Sequence, residues 1–280
     1  AEAAVASGVL TSNADDAFLK VTTNSLNPLC QATAWNEFRM SSAMESVLKG
    51  YGDPRMTKMY APVPGTSNYK GLRNGYSQVQ LGLPENAPGA NSNVANIYLP
   101  DFQYSTPFLI MYAAESWFLR AEGFLNNWSM GTGETAQSCY EKGIRTSMAS
   151  WGFTGTAVDN YIAGTTTPIA LPDGVNTPAL SDIPVKWEAT AAKQLEQVIT
   201  QKWLANWPNG HEAWAEYRRT GFPKLYPRIN SENTDVPANG VVRRTPYVSG
   251  EIATNPNGVS SGVSKLGGSD NAATRLWWNK

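Results

Sequence analysis

Two helical patterns joined by a short glycine turn constrain the fold of this 280-residue chain more than any other feature. In the first, apolar residues recur at spacings of three and four, which places them on one helix face: Met111, Ala114, Phe118, Ala121 and Leu125. The second repeats this spacing in Ala136, Tyr140, Ile144, Met148 and Trp151. Gly131 and Gly133 separate the two patterns. The spacing therefore predicts a helical hairpin over 106–151, starting at Pro107.

The residues before the hairpin, 1–105, are mostly loop by composition. They contain a stretch rich in Pro, Gly, Asn and Ser over 61–100, which predicts turns rather than regular elements. A short helix is predicted over 35–49, and the first residues indicate a helix that ends at Gly8. A loop this long inside a compact domain usually has a function or is held by its own side chains. We therefore expect this part to face a ligand.

The residues after the hairpin, 152–280, begin and end in loops. Between the loops, apolar spacing predicts a long helix over 186–206 and a short helix from Asn209 to Gly221. We therefore predict a mainly α fold, a single region with a helical hairpin core and long irregular loops. The hairpin resembles a tetratricopeptide pair, but no second clear pair follows it, so a regular solenoid is not supported.

Composition excludes several classes of function. The chain has 22 Lys+Arg against 23 Asp+Glu, so it lacks the basic excess typical of nucleic-acid binding. One histidine and two cysteines, Cys30 and Cys139, cannot form a Cys/His zinc site, and we expect neither metal nor cofactor. No apolar run approaches the ~20 residues that span a bilayer. Charged residues make up only 16% of the chain, which suits a neutral ligand.

Five sequence blocks, in order along the chain, resemble the SusD/RagB family. The first is Asp53-Pro54-Arg55-Met56, and the second is MYAAESWFLRAEG at 111–123. The third is SCYEKGIRTSM at 138–148, and the fourth, the most specific, is ITQKWLANWPNGHEAWAEYRRTGFPKL at 199–225. The fifth is Arg275-Leu276-Trp277-Trp278 at the end. One departure is Val248, where the family pattern has proline.

The resemblance implies a function and a location. Members are nutrient-binding lipoproteins of the Bacteroidetes outer membrane, so it implies non-catalytic binding of glycans or other nutrient oligomers at the cell surface. It also implies delivery to a SusC-like TonB-dependent transporter. The matching blocks belong to the carboxy-terminal half of the family. We therefore expect that the amino-terminal half, with its lipidated cysteine, is absent from this chain, and that contact with the membrane depends on that anchor.

Six residues in the first part of the chain are the predicted ligand contacts. Flat aromatic rings stack on the C–H faces of sugars, and planar donors bond fixed hydroxyl groups. The predicted set combines both kinds of side chain: Trp35, Tyr60, Tyr69, Arg73, Asn74 and Tyr76. Their loop position favours ligand contact because helical packing does not account for them. The alternative, that the loop simply lies on the body of the protein, is about as well supported.

The remaining tryptophans have a structural interpretation. Those in helical patterns are expected to pack in the core: Trp117, Trp151, Trp187, Trp203 and Trp214. Trp277 and Trp278 are expected to hold the C-terminus against the body of the protein.

Two carboxylates raise an enzymatic alternative. Glu115 and Glu122 are seven residues apart on one helix face, or ~10.5 Å along its axis. That is just beyond the ~6.5–9.5 Å between the carboxyl groups of inverting glycosidases. Burial on an apolar helix favours ion pairs instead, with Arg145 or Arg219. Glu212, Glu216 and Arg219 are expected to form a ladder on a helix surface. An α-helical glycoside hydrolase and a tetratricopeptide-type scaffold for proteins are therefore the alternatives.

Overall fold

The computed structural model describes residues 1–35, 37–95, 98, 104–173, 177–238 and 240–279, and their fold is mainly α, as predicted. The helices of the first half are α1 (Glu2–Ser7), α2 (Pro28–Ala34), α3 (Ser42–Gly50), α4 (Met56–Met59), α5 (Gln78–Leu81) and α6 (Ala113–Leu125). Those of the second half are α7 (Ala136–Ser150), α8 (Thr156–Ile162), α9 (Ala191–Ala205), α10 (Gly210–Thr220), α11 (Ser249–Thr254) and α12 (Pro256–Ser264). Two strands, β1 (Ala17–Leu19) and β2 (Phe108–Met111), pair antiparallel.

The hydrophobic core lies where α6, α7 and α9 meet, and α6 and α7 form the predicted hairpin. The following side chains of these helices have no exposed surface: Phe118, Tyr140, Ile144, Met148, Val198 and Ile199. Gly143 allows α6 and α7 to pack closely, because a Cβ at this position would lie 2.7 Å from the Phe118 ring. Each large apolar side chain buried in this way contributes about 1.5–3 kcal/mol.

The first helix of the hairpin begins later than predicted. Residues that the spacing assigned to the helix form β2, because β1 offers this apolar run a sheet partner from a distant part of the chain. Asp16, which precedes β1, accepts a hydrogen bond at 2.7 Å from the backbone N–H of Ala113, where α6 begins. The predicted start at Pro107 was therefore wrong.

The helices after the hairpin agree in part with the predicted ones. The long helix starts at Ala191 rather than 186, and α10 has the predicted termini. Asn209 accepts a hydrogen bond from the N–H of Glu212 at 3.2 Å, and Gly221 ends the helix with φ 81°. The sequence patterns missed α8, α11 and α12, which are short. None of the described helices is long and apolar enough to cross a membrane.

Most of the tryptophans lie where core packing was expected. Trp117 is buried, and the half-buried rings of Trp151, Trp187 and Trp203 pack against the same core. At the C-terminus the two neighbouring tryptophans differ. Trp278 stacks with the guanidinium of Arg218, 4.7 Å from the ring centroid, whereas Trp277 is 95% exposed. The prediction that Trp277 holds the C-terminus was therefore wrong, and Trp278 makes this contact.

The Asp53-Pro54-Arg55 turn carries a buried ion pair that connects three helices. Arg55 and Asp53 have no exposed side-chain surface, and their N–O distance is 2.6 Å. The same guanidinium donates to Ser147 of α7 at 2.8 Å, to Tyr161 of α8 at 3.1 Å and to Gln201 of α9 at 3.1 Å. Burial would lower the pKa of Arg55, but the adjacent Asp53 carboxylate outweighs it and raises that pKa. We call these five residues the Arg55 network.

A close backbone contact makes Gly50 intolerant of any side chain. An added Cβ would lie 2.3 Å from the carbonyl oxygen of Thr167 and 2.5 Å from Cα of Pro168, and backbone atoms cannot move aside cheaply. We expect Gly50→Ala to lower the free energy of unfolding by about 1–3 kcal/mol, as overpacked sites do. Urea denaturation monitored by circular dichroism measures this change. The matched control is Gly250→Ala, a helical glycine with no atom within 4 Å of the new methyl group, which should not destabilise the chain.

Candidate glycan-binding site

The six predicted ligand contacts lie in three places. Trp35 is 69% exposed directly after α2. Tyr60 is buried in the core, and Tyr69 packs half-buried against that core. The other three residues lie in the segment before α5: Arg73 is buried, Asn74 is exposed and Tyr76 is half-buried. Contact of these six side chains with a ligand stays a prediction.

A cavity of about 220 Å³ lies between α2 and the loop that follows α9. We call it the Trp207 cavity, and its described lining is Leu29, Ala32, Thr33, Phe38, Arg39, Tyr60, Val94, Tyr98, Trp207 and Pro208. The Trp207 ring contacts those of Tyr60, Tyr98 and Trp151, with centroid separations of 5.2, 5.3 and 6.0 Å. The rings of Tyr60, Tyr98 and Trp207 therefore form an aromatic floor of the cavity, against which Trp151 packs.

One exposed aromatic side chain lines this cavity, and a second is close to a lining residue in sequence. Phe38 lines it and is 49% exposed, and Trp35 lies two residues beyond Thr33, which also lines it. The side chain of Arg39, which also lines the cavity, donates from its Nε to the carbonyl of Pro88 at 2.8 Å. Phe38 therefore offers accessible apolar ring surface at this cavity, as stacking on a sugar ring requires.

Helix α2 is held at its start by a single asparagine. Asn27 accepts a hydrogen bond from the N–H of Leu29 at 2.9 Å, and its amide donates to the carbonyl of Thr106 at 3.0 Å. Pro28 occupies the first helical position, where its missing N–H costs nothing. The start of α2 is therefore held against the segment that precedes β2.

A larger cavity of about 650 Å³ adjoins the Trp207 cavity and shares Leu29, Tyr98 and Pro208 with it. Its described lining adds further aromatic rings, namely Phe18, Phe108, Tyr112 and Trp151. It also adds polar groups that suit sugar hydroxyls, namely Asn13, Asp16, Asn209 and His211. Burial raises the pKa of Asp16, the N–H of Ala113 opposes this effect, and Asp15 adds to it. The two cavities therefore adjoin one another, and we call them together the groove.

Arg73, Asn74 and Tyr76 surround a second aromatic surface. The guanidinium carbon of Arg73 lies 4.2 Å from the ring centroid of Tyr226, and its Nη2 donates to the carbonyl of Pro227 at 3.0 Å. Tyr76 donates its hydroxyl to the backbone carbonyl of Asp173 at 2.7 Å. Asn74 and Tyr226 line a cavity of about 450 Å³, which we call the Tyr226 cavity. Its other described lining residues are Ser41, Ser42, Ala43, Trp203, Gly210, Ala213, Trp214, Tyr217, Pro223, Leu225, Pro227, Arg228, Gly240, Val241 and Val242.

The two candidate catalytic carboxylates are held in ion pairs. Glu122 pairs with Arg219, one of the two partners expected from the sequence. Glu115 lies 3.2 Å from the ammonium of Lys202, which is 2% exposed. Arg145 pairs instead with Asp159 at the surface. Both glutamates are therefore engaged in ion pairs, as expected for carboxylates buried on an apolar helix.

The expected ladder of Glu212, Glu216 and Arg219 is present in part, since Arg219 pairs with Glu216 at 2.7 Å, but it belongs to a larger, partly buried cluster. Glu216 is buried and lies 3.3 Å from Lys202, which also pairs with Glu212 at 3.0 Å. Burial would raise the pKa of Glu216, but hydrogen bonds from Arg219 and the charge of Lys202 outweigh it and lower that pKa. The surface assignment was wrong for Glu216 because Lys202, from the neighbouring α9, reaches this face of α10. We use the name Lys202 cluster for Lys202 together with Glu115, Glu212, Glu216 and Arg219.

Sequence reasoning missed several residues of the groove. Phe38 and Arg39 lie in a loop, whereas the spacing placed them inside a helix over 35–49 that begins only at Ser42. Trp207 was not singled out, although it directly follows the end of a long helix. Among the described residues, no group of three or more His, Cys, Asp or Glu side chains could hold a metal ion.

Comparison with known proteins agrees with this architecture. The family model described as "SusD-like: Susd and RagB outer membrane lipoprotein" matches residues 1–279. A chitin-binding SusD homolog from Flavobacterium johnsoniae has 38% sequence identity and a TM-score of 0.85 over 97% of this chain. A SusD homolog from Bacteroides ovatus has 35% identity and a TM-score of 0.86 over 99% of this chain.

The chain spans 55% and 59% of the lengths of those two proteins. A search among curated proteins finds no match to the chain. The family match extends over nearly all of its residues, and both structural neighbours share more than a third of the aligned sequence. The chain therefore belongs to the SusD-like family of outer-membrane lipoproteins.

Proposed function

We propose that this chain binds glycans without cleaving them and that oligosaccharides of N-acetylglucosamine are among its ligands. The observation that carries the proposal is the 38% identity with a chitin-binding homolog whose fold it shares. This chain spans 55% of the length of that protein, so chitin binding by this chain is a proposal.

We place the sugar at Trp35 and the adjoining groove. Trp35 is 69% exposed and Phe38 is 49% exposed, which leaves apolar ring surface available to a ligand. The groove beside them adds amide, carboxylate and imidazole groups at Asn209, Asp16 and His211. Tyr60 lies beneath Trp207, so it supports the groove floor instead of offering a ring face. Aromatic surface with a few polar groups is the usual lining of a small-molecule site.

The ion pairs support binding over hydrolysis. A glycosidase needs one carboxyl group free to donate a proton and another free to attack or to activate water. Glu115 and Glu122 are engaged by Lys202 and Arg219. The α-helical hydrolase is therefore not favoured. The protein-binding scaffold is not favoured either, because the hairpin leads into loops and single helices instead of repeating.

We further propose that the protein acts at the cell surface and passes its ligand to a SusC-like TonB-dependent transporter. The family description as outer-membrane lipoproteins supports the location. Delivery to a transporter follows from family membership alone. Co-purification of the two proteins from outer membranes tests it.

We expect Trp35→Ala to weaken the binding of chitotetraose at least tenfold. Removing a large aromatic contact at the centre of a binding site typically costs 2 kcal/mol or more, and ~1.4 kcal/mol corresponds to a factor of ten in Kd. Isothermal titration calorimetry with the chain and the oligosaccharide measures the change.

The matched control is Trp277→Ala, since this residue is 95% exposed but lies at the C-terminus. It should leave the affinity unchanged. Equal binding by the unmodified chain and Trp35→Ala would show that the sugar lies elsewhere. No binding of chitotetraose or of other neutral oligosaccharides by the unmodified chain would contradict the proposed function itself.

A further inference from the structure

The Tyr226 cavity has the size and lining of a second binding site. Its volume of about 450 Å³ falls in the range of small-molecule sites. Four aromatic side chains line it: Trp203, Trp214, Tyr217 and Tyr226. Its described lining includes one charged side chain, Arg228, and no carboxylate. The cavity therefore combines flat apolar surface with positive charge.

Arg228 has donors available for a ligand. Its Nη2 makes hydrogen bonds to the carbonyls of Gly240 and Pro237 at 3.3 and 3.4 Å, both longer than typical N–H···O bonds. A guanidinium has five N–H donors in a planar fork, which matches the geometry of a carboxylate or sulfate. Within the described chain, Arg228 forms no ion pair that would occupy this fork.

Two further arginines, Arg218 and Arg73, stack on aromatic rings that line the cavity; burial lowers the pKa of Arg73, and the nearby Asp173 carboxylate opposes this effect. The guanidinium carbon of Arg218 lies 3.5 Å from the ring centroid of Trp214, and its Nη1 donates to the carbonyl of Arg243 at 2.8 Å. Arg73 stacks on Tyr226 and is 6% exposed, and its Nε and Nη1 have no hydrogen-bond partner. The arginine ion pairs of the described residues involve other positions: Arg55, Arg145, Arg219 and Arg244.

Burial, with a smaller effect of neighbouring arginines, lowers the pKa of two arginines near this region, Arg218 and Arg243. Burial lowers the pKa of Arg218, and the neighbouring Arg243 lowers it further. Burial and repulsion from Arg275 likewise lower the pKa of Arg243. Since the whole chain has a formal net charge of −1, this local excess of positive charge is specific to one region of the surface. An anion in the cavity would be attracted by Arg228, the charged side chain of its described lining.

We propose that the Tyr226 cavity binds an acidic sugar residue, one that carries a carboxylate or sulfate group. The aromatic rings would stack on the sugar ring, Arg228 would bind the anionic group, and exposed Asn74 would bond a hydroxyl. A flat membrane surface fits this concave cavity poorly. The site is separate from the groove at Trp35 and does not depend on the ligand proposed there.

Nuclear magnetic resonance of the ¹⁵N-labelled chain tests the proposal. D-glucuronate and D-glucose 6-sulfate are each titrated into the protein, with D-glucose as the neutral counterpart. Trp214→Phe identifies the indole signal of Trp214, which lines the cavity. We expect at least one acidic sugar to shift this signal saturably, and glucose at the same concentration to leave it in place. Raising the salt concentration should weaken the effect, because salt screens charge attraction.

Two arginine variants sharpen the test. Arg228→Gln should weaken the binding of the acidic sugar about tenfold, as expected when a charge-assisted bidentate bond is lost. Arg145→Gln is the control, since this arginine is 46% exposed and pairs with Asp159 elsewhere. It should bind like the unmodified chain. If Arg228→Gln does not retain the native spectrum, Asn74→Ala replaces it, since this exposed residue lines the cavity, and a weaker acidic-sugar complex is expected again.

Three results would overturn the proposal. One is that neither acidic sugar shifts the Trp214 signal. Another is that glucose shifts it as strongly as the acidic sugars do. The third is that vesicles of phosphatidylglycerol perturb the signal while both sugars fail, which would identify a membrane-facing surface instead.

Discussion

Asp53→Ala should lower the free energy of unfolding by about 3–5 kcal/mol, the range found when one partner of a buried ion pair is removed. Arg55 and Asp53 have no exposed side-chain surface, so the variant would leave a guanidinium in the core without its counter-charge. Ser147, Tyr161 and Gln201 offer only neutral groups to this cation. Chemical denaturation in urea, followed by tryptophan fluorescence, measures the loss.

Two further variants test the cause of this loss. Asp159→Ala removes the carboxylate of an ion pair whose side chains are 46% and 55% exposed, and it should cost less than about 1 kcal/mol. Asp53→Ala combined with Arg55→Met removes both charges and should recover much of the stability, because no uncompensated ion remains. A double variant as unstable as Asp53→Ala alone would show that packing, and not charge, dominates this site.

Lys202→Met should cost a similar amount at neutral pH, about 3–5 kcal/mol. The ammonium of Lys202 is 2% exposed and lies between three carboxylates, Glu115, Glu212 and Glu216. Burial alone would lower the pKa of Lys202, but these carboxylates outweigh it and raise that pKa. Without the cation, the three carboxylates would repel one another inside the fold.

Lowering the pH should restore part of the stability that Lys202→Met loses. Burial already raises the pKa of Glu115, an effect that Lys202 opposes. Losing Lys202 would raise the folded-state pKa of Glu115 further above the unfolded value of about 4.3, and it would remove one of the interactions that lower the pKa of Glu216. The folded state would then bind more protons than the unfolded state, so stability should rise as the pH falls from 7 towards 5.

In the unmodified chain, Lys202 should instead lose its stabilising effect at alkaline pH. Because the pKa of Lys202 is raised, its contribution is complete below the unfolded value of about 10.4 and disappears as the pH rises through the folded value. Thermal unfolding at pH 5, 7 and 8 compares the two chains. Lys142→Met is the control, since that lysine is 45% exposed and its loss should cost less than about 1 kcal/mol at each pH. A Lys202→Met chain that is no more stable at pH 5 than at pH 7 would contradict the charge argument.

Apolar spacing predicted the helices because it reports burial directly. Most of the residues of α6 and α7 that recur every three or four positions, such as Phe118 and Tyr140, are buried. The same spacing continued backwards through Met111, which lies in β2. Spacing within one segment cannot reveal that β1, about ninety residues earlier, pairs with this run.

The candidate site was harder to predict because exposure in loops depends on the rest of the fold. Trp35 and Tyr60 are both loop aromatics by sequence, yet one is 69% exposed and the other 5%. The difference arises from Trp207, which follows a helix in a distant segment and packs on Tyr60. For Glu122, by contrast, the apolar character of its own helix was enough to predict a partner such as Arg219.

The Arg55 network also constrains how the chain reaches its native state. Its hydrogen bonds join Arg55 to residues 92, 106 and 146 positions away. Such distant contacts form only after much chain entropy has been lost, whereas single helices form locally and quickly. In stacked repeats each unit contacts only its neighbours, and folding can start at any of them. Here the hydrogen bonds of one guanidinium form only when four separated segments of the chain have come together. The helices around it are therefore expected to fold as a single cooperative unit.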